Sequence, residues 1–394
     1  MRIIHAKARV VLNSRGDPTL EITINKSSES IPEGASKGAN EVKYLEPDKA
    51  AKLFNEELVD FLKTYDIQSK DDLITLEEDF ERIGGINRYG ANTLLAIEYA
   101  ILRAWSNYEG LPIYKFFNKN PKFDIKILAN VVGGGAHAKG KSTNIQEFLV
   151  SPDTDNIKLS IFIASYIHKL LGKRLELLDD KFLYGKNDEG AWTTSLDDNI
   201  IFNIIGMVLN EIKEDYNIKV KVGIDVAASQ LYDKVDNLYK YKDKKLSRKE
   251  QIEYILGLID LYDLFYVEDP MHEEDFEGFA EINTKTKSII SGDDLTVTNI
   301  ERIKKALIHK SVKAVIIKPN QVGSLIKTYE AIKICKENGL IPIMSHRSGE
   351  TESNILADLA VAFEVPYVKF GIVGGERIAK LNELIRIYEE LKEN

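Results

Sequence analysis

One cysteine stands among 394 residues, so the chain cannot close a disulfide on itself. That scarcity excludes the small stapled secreted folds and points to a reducing compartment. The lone thiol, Cys335, lies in the helix-like stretch YEAIKICKENG with no histidine near it in sequence, and it reads as core packing, not as a nucleophile. Long apolar runs are missing too. Nothing approaches the roughly 20 apolar residues of a membrane span, and MRIIHAKARVV is not a secretory leader, so a cytoplasmic location is expected. Nor is there an excess of positive charge. Against 62 acidic residues stand 53 basic ones, a net charge of −9, which argues against nucleic acid as a partner. Solenoid repeats, low-complexity tracts and long linkers are also lacking.

What is present is a recurring unit. VKAVIIK, a helix-like segment and LIPIMSHR read as strand, crossover helix and parallel strand. Short apolar runs of the same kind end on Asp225, Glu268, Asp293, Lys318, His346 and Lys369. The steps between them suit strand–helix units of roughly 30 residues. Six such units predict a barrel, with every strand end opening on one mouth. Upstream, ILANVVGGGAHAKG and NIQEFLVSP are too close for a crossover helix and read as an antiparallel pair. Two helices follow, to about Leu178 and Asp215. The last helix, ERIAKLNELIRIYEELKEN, reads as amphipathic with its charges outside. Residues 1–120 differ: two strands around Asn13–Pro18, a glycine-bearing loop, then helices, a small α+β cap. The expected domains are therefore 1–120 and 121–394.

Three carboxylates, Asp225, Glu268 and Asp293, end successive strands. Hard oxygen donors gathered this way suit Mg²⁺. A single Asp at such a position is more often a helix cap, and Asp269 and Asp294 are read that way or as supporting groups. Lys318 follows VII directly. Beside a metal and a second lysine its pKa would fall, making it a base; a structural pairing with Asp293 or Glu268 is an equal reading. His346, Arg347 and Ser348, with Lys369, suit a phosphate or carboxylate. Gly34–Gly38 matches the nucleophile-elbow pattern and Gly133–Gly135 a dinucleotide loop, but neither has the strand–turn–helix setting.

The chain resembles the enolases along nearly its whole length, through ARVVLNSRGDPTLEI, PEGASKG, IQEFLVSP, NDEG, GIDVAAS, VEDP, GDDLTVTN, IKPNQVGS, SHRSGETE and GERIAKLNELIRI. The resemblance implies an α/β fold, a TIM-type ββαα(βα)6 barrel behind an α+β cap. It also implies dehydration of 2-phosphoglycerate to phosphoenolpyruvate. Enzymes of this superfamily use a Lys or His base with one or two Mg²⁺ ions that stabilise an ene-diolate. Carried onto this chain, Lys318 becomes the base and Glu189 the acid, with Glu147 and His137 beside it. Asp225, Glu268 and Asp293 hold one Mg²⁺, and Ser36 on a closing lid brings a second. Lys369 faces the substrate carboxylate, Arg347 and Ser348 the phosphate, and His346 completes the site. A homodimer or higher homo-oligomer is implied, with Arg9–Glu376 and Glu21–Arg386 as pairs across subunits. The departures are a short Ile24–Ile31 connection that trims the cap sheet, Lys37 in the lid, Ala191–Trp192 after the acid and Phe370 after Lys369. The alternatives are a paralogue acting on a related acid, a non-catalytic binding protein of the same fold, and a Schiff-base aldolase barrel; the three carboxylates beside Lys318 weigh against the last.

Overall fold

The computed structural model describes residues 1–34, 40–135, 138 and 142–393, so Ser36, Lys37 and His137 lie outside the described residues. Strands β1 (Ala6–Leu12), β2 (Pro18–Ile24) and β3 (Ser27–Ser30) form an antiparallel sheet in that order. Ala6 and Ala8 point inward while Lys7 and Arg9 face solvent, the period of two that a half-buried strand requires. The shortened Ile24–Ile31 connection does not remove the third strand. It turns at Asn25, whose φ of 54° suits a two-residue hairpin. The helix Ala91–Glu109 packs on this sheet with Leu94, Leu95, Ile97 and Ile101 fully buried, and left-handed Gly110 ends it as the sequence predicts.

The remaining strands are β4 (Lys126–Ile127), β5 (Ala129–Gly133), β6 (Glu147–Pro152), β7 (Val220–Asp225), β8 (Tyr232–Asp233), β9 (Leu238–Lys240), β10 (Lys245–Leu246), β11 (Tyr266–Glu268), β12 (Ile289–Gly292), β13 (Ala314–Ile317), β14 (Ile341–Ser345) and β15 (Tyr367–Lys369). Helices Ile157–Leu178 and Asp198–Tyr216 separate β6 from β7. The large sheet runs β4-β15-β14-β13-β12-β11-β7-β6-β5. Leu128 joins β4 to β5 and donates its N–H to Val368 O at 2.8 Å, so the order returns on itself as a barrel. β6 is antiparallel to both β5 and β7, and the other pairings are parallel. The long step from Asp225 to Glu268 is filled by β8, β9 and β10, a small separate sheet.

Ala314 and Ile316 join Leu149, Tyr266 and Ile343 in a small inner cluster, while Val315 and Ile317 belong to the large core under the helices. That alternation fills the barrel on one face of each strand and seats the helices on the other. Cys335 is buried in the helix Leu325–Glu337, and burial pushes its thiol up to about 12.

The final helix, Gly375–Glu393, corrects the sequence reading: Arg377 and Lys380 are fully buried, not outside. They lie under the strand-end loops and donate to backbone carbonyls there, Lys380 Nζ to Thr351 O at 3.1 Å. The charges expected to pair between subunits have partners within the chain. Arg9 bonds Glu21 directly opposite on β2, Arg386 lies 2.5 Å from Glu383, and Glu376 sits 3.3 Å from Arg377 Nε.

Candidate active site

Register builds the mouth. Glu147 on β6 is level with Asp225 on β7, Asp225 with Glu268 on β11, and Glu268 with Ser291 on β12. Asp293 follows β12 closely, Lys318 follows β13 directly, and Lys369 ends β15 level with Ser345 on β14. Strand pairing, antiparallel between β6 and β7 and parallel in the others, fixes these Cα levels, so side chains far apart in sequence share one cavity. Glu147, Glu189, Asp225, Asp293, Lys318, His346, Arg347, Ser348 and Lys369 line it together.

Within that cavity the side chains choose partners that strand ends alone do not dictate. Lys369 Nζ lies 3.1 Å from Glu147, 3.1 Å from Asp225 and 2.9 Å from Glu268. Burial alone would pull this ammonium down; Asp225, Glu147 and Glu268 outweigh it and hold it well above its ordinary value. Lys318 Nζ donates to Asp293, whose other oxygen accepts from Gln321 Nε2 at 3.0 Å. Thus Asp225, Glu268 and Asp293 form two groups, one around Lys369 and one around Lys318. The tightest carboxylate set among the described residues is Asp269, Asp293 and Asp294, with oxygens within 4.8 Å of one another. Asp269 also orders the turn after β12, accepting the backbone N–H of Asp293 at 3.0 Å and of Asp294 at 2.8 Å.

The structural pairing left open for Lys318 is therefore present, and it reverses the expected shift. Burial pulls Lys318 down, but Asp293 in contact leaves it above its ordinary value. Carboxylates outnumber cations in the mouth. Burial, then Asp225, pushes Glu268 up to about 8. Burial, then Asp293, pushes Asp294 up to about 7. Glu147 is driven well upward by burial and then by Glu189. Crowded hard oxygens with surplus negative charge are the setting a divalent cation relieves.

Glu189 is held by its own loop. Asn187 Oδ1 accepts from the N–H groups of Glu189 and Ala191, both at 3.0 Å, and Asn130 Nδ2 donates to Glu189 Oε2 at 3.1 Å. Gly190 has φ 81°, and a Cβ there would meet Val373 O at 2.0 Å, so only glycine makes this turn. Trp192 anchors the loop by stacking on His168 at 4.5 Å and donating Nε1 to its carbonyl at 2.7 Å. Across from it, His346 Nε2 lies 3.5 Å from Glu189 Oε2, and burial with Arg377 nearby lowers this imidazole to about 3, so it is neutral.

Arg347 is engaged by a carboxylate: Glu41 takes both of its terminal nitrogens, at 3.1 and 3.0 Å, and Asn320 Oδ1 accepts a further bond at 3.1 Å. Sequence reasoning missed Glu41, Gln321 and Arg377. Gln321 sits in IKPNQVGS and Arg377 in GERIAKLNELIRI, so the motifs flagged their neighbourhoods and not their roles.

Fold and site together define a βα-barrel enzyme that sets one buried and one half-buried lysine against acidic strand ends. Residues 3–117 match the family model described as "Enolase, N-terminal domain", and residues 126–394 match "Enolase, C-terminal TIM barrel domain". The enolase of Archaeoglobus fulgidus is 40% identical, covering 97% of this chain and 96% of its own. Those of Methanosphaera stadtmanae (98% of this chain, 96% of its own) and Picrophilus torridus (97% of each) are each 39% identical. The chain belongs to the enolase family and is a lyase. Among the described residues no helix is long and apolar enough to cross a membrane.

Proposed function

We propose that the protein catalyses Mg²⁺-dependent, reversible dehydration of 2-phospho-D-glycerate to phosphoenolpyruvate, with Lys318 as base and Glu189 as acid. The observation that carries the assignment is the ring order. Three strands separate β13, which delivers Lys318, from β6, which delivers Glu147, in either direction: β14, β15 and the joined β4–β5 strand, or β12, β11 and β7. Asn130 on β5, the strand paired with β6, donates to Glu189, which supports a reading of both acids on the β5–β6 side. A base and an acid on opposite walls suit removal of a proton from C2 and loss of hydroxyl from C3.

Asp225, Glu268 and Asp293 would hold Mg²⁺, with Ser36 for a second ion; bound there, the metal supplies positive charge to the substrate carboxylate. Lys369 faces the same carboxylate. Arg347 and Ser348 take the phosphate, and His346 and His137 complete the acid side. Lys318 accepts the C2 proton as a free amine, so it must first be released from Asp293. Glu189 gives a proton to the departing hydroxyl, which leaves as water. Residues 1–120 act as the cap that carries the lid over the barrel of residues 121–394. The protein works in the cytoplasm in glycolysis and gluconeogenesis. Two copies associate, with Arg9 facing Glu376 and Glu21 facing Arg386 across the interface; charge reversal at Arg9 with no change in solution mass would count against that.

The test is exchange of the C2 hydrogen of 2-phosphoglycerate with deuterated solvent. Glu189→Gln should exchange without forming phosphoenolpyruvate, and Lys318→Ala should do neither. Exchange that survives in Lys318→Ala removes the base assignment.

A further inference from the structure

We infer that Arg377 is a positioning residue for the acid side of the reaction: its guanidinium fixes His346 as the Nε2–H tautomer and aims that N–H at Glu189. The inference rests on the reading of Glu189 as acid. Arg377 lies in the first turn of the final helix and is wholly buried. Its Nη1 meets His346 Nδ1 at 3.0 Å and also donates to Arg347 O. Its Nη2 donates to Asp188 O at 2.8 Å and to Ser348 O at 2.7 Å. One planar fork thus ties the residue before Glu189 to the backbone of the anion-binding strand end.

The tautomer follows from donor counting. A guanidinium has donors and no acceptor, so His346 Nδ1 must accept. A neutral imidazole that accepts at Nδ1 carries its hydrogen on Nε2. Nε2 lies 3.5 Å from Glu189 Oε2 and is buried without a hydrogen-bond partner among the described residues. An Nε2–H placed there favours the carboxylate that Glu189 becomes once it has given up its proton. Lysine in place of Arg377 would keep the charge but could not span four acceptors in the same plane.

The experiment pairs nitrogen-15 NMR of His346 with kinetics of Arg377→Lys. In the wild-type protein the ring should show a protonated Nε2 and an unprotonated Nδ1; the opposite tautomer, or a charged ring at neutral pH, overturns the inference even where no variant folds. In Arg377→Lys that signature should be lost. Dehydration should slow by about 10- to 100-fold, short of the roughly 10²–10⁴ that a general acid contributes, while C2 exchange stays near wild type. Equal loss of exchange and dehydration, or unchanged dehydration with the tautomer lost, overturns it. Failure of the underlying reading is separate: Glu189→Gln would then still form product.

Discussion

Two places in this molecule bury carboxylates, and they treat them differently. In the barrel mouth, Lys369 gathers Glu147, Asp225 and Glu268, and Lys318 holds Asp293. At the seam between cap and barrel, Glu77 on the helix Lys70–Arg82 meets Glu98 on the helix Ala91–Glu109. There the partners are neutral: Ser324 Oγ donates to Glu77 at 2.7 Å and Leu325 N–H to Glu98 at 2.8 Å. The nearest ammonium, Lys327, stands 4.0 Å from Glu77. Burial, then Glu77, drives the Glu98 carboxyl well upward, as burial and Glu189 do for Glu147 in the mouth; the difference is that Glu147 also touches an ammonium, Lys369, whereas Glu98 is met by a backbone N–H. A proton-neutralised pair is a fixed strut. A carboxylate held against a lysine can trade that lysine for a metal or a substrate, which is what the mouth needs.

The sharpest way to break this contrast is at Lys318. Lys318→Ala, which removes the proposed base, should lower kcat by about 10²–10⁴-fold, read as phosphoenolpyruvate absorbance. Near-normal turnover would make Lys318 a strut too. Next, Asp293→Asn should weaken Mg²⁺ binding by an order of magnitude or more in calorimetry, on the scale of roughly 1.4 kcal/mol per tenfold. Glu98→Gln, with no lysine to lose, should leave that binding unchanged.

The seam makes its own prediction in pH. The Glu98 pKa is raised in the folded state. The unfolded chain therefore releases this proton first, and stability falls as pH rises above the ordinary carboxyl range of about 4.5. Glu98→Gln removes that loss, so its melting temperature should exceed wild type increasingly toward pH 8, by roughly a few degrees. A difference that is constant with pH would show that Glu98 holds no extra proton. The smallest effect is expected at Glu41, which occupies Arg347. Glu41→Gln should lower KM by about fivefold, the equivalent of roughly 1 kcal/mol, and an increased KM would show that Glu41 orients Arg347 instead of competing for it.

Much of the fold was legible because strand period and strand length are local. The apolar runs that end at Asp225, Glu268, Lys318 and Lys369 carry their own boundaries, and the close pair before Glu147 excluded a crossover helix. Pairing inside the mouth was not legible. A strand end fixes where Asp293 starts, but the rotamer and the competition between Lys318 and Lys369 decide whom it meets. Arg377 escaped because a charged residue early in an amphipathic helix reads as solvent-facing, and its acceptors, the carbonyls of Asp188, Arg347 and Ser348, leave no mark in sequence. Glu98 escaped for the same reason: its partner, Leu325 N–H, lies 227 residues away.

The most direct measurement is phosphoenolpyruvate formation from 2-phosphoglycerate, followed by ultraviolet absorbance with Mg²⁺ and again with chelator. Turnover with Mg²⁺ that stops with chelator is the expected result, with the mouth carboxylates trading lysine for metal. Turnover indifferent to chelator, or none from folded protein with Mg²⁺ bound, would contradict it.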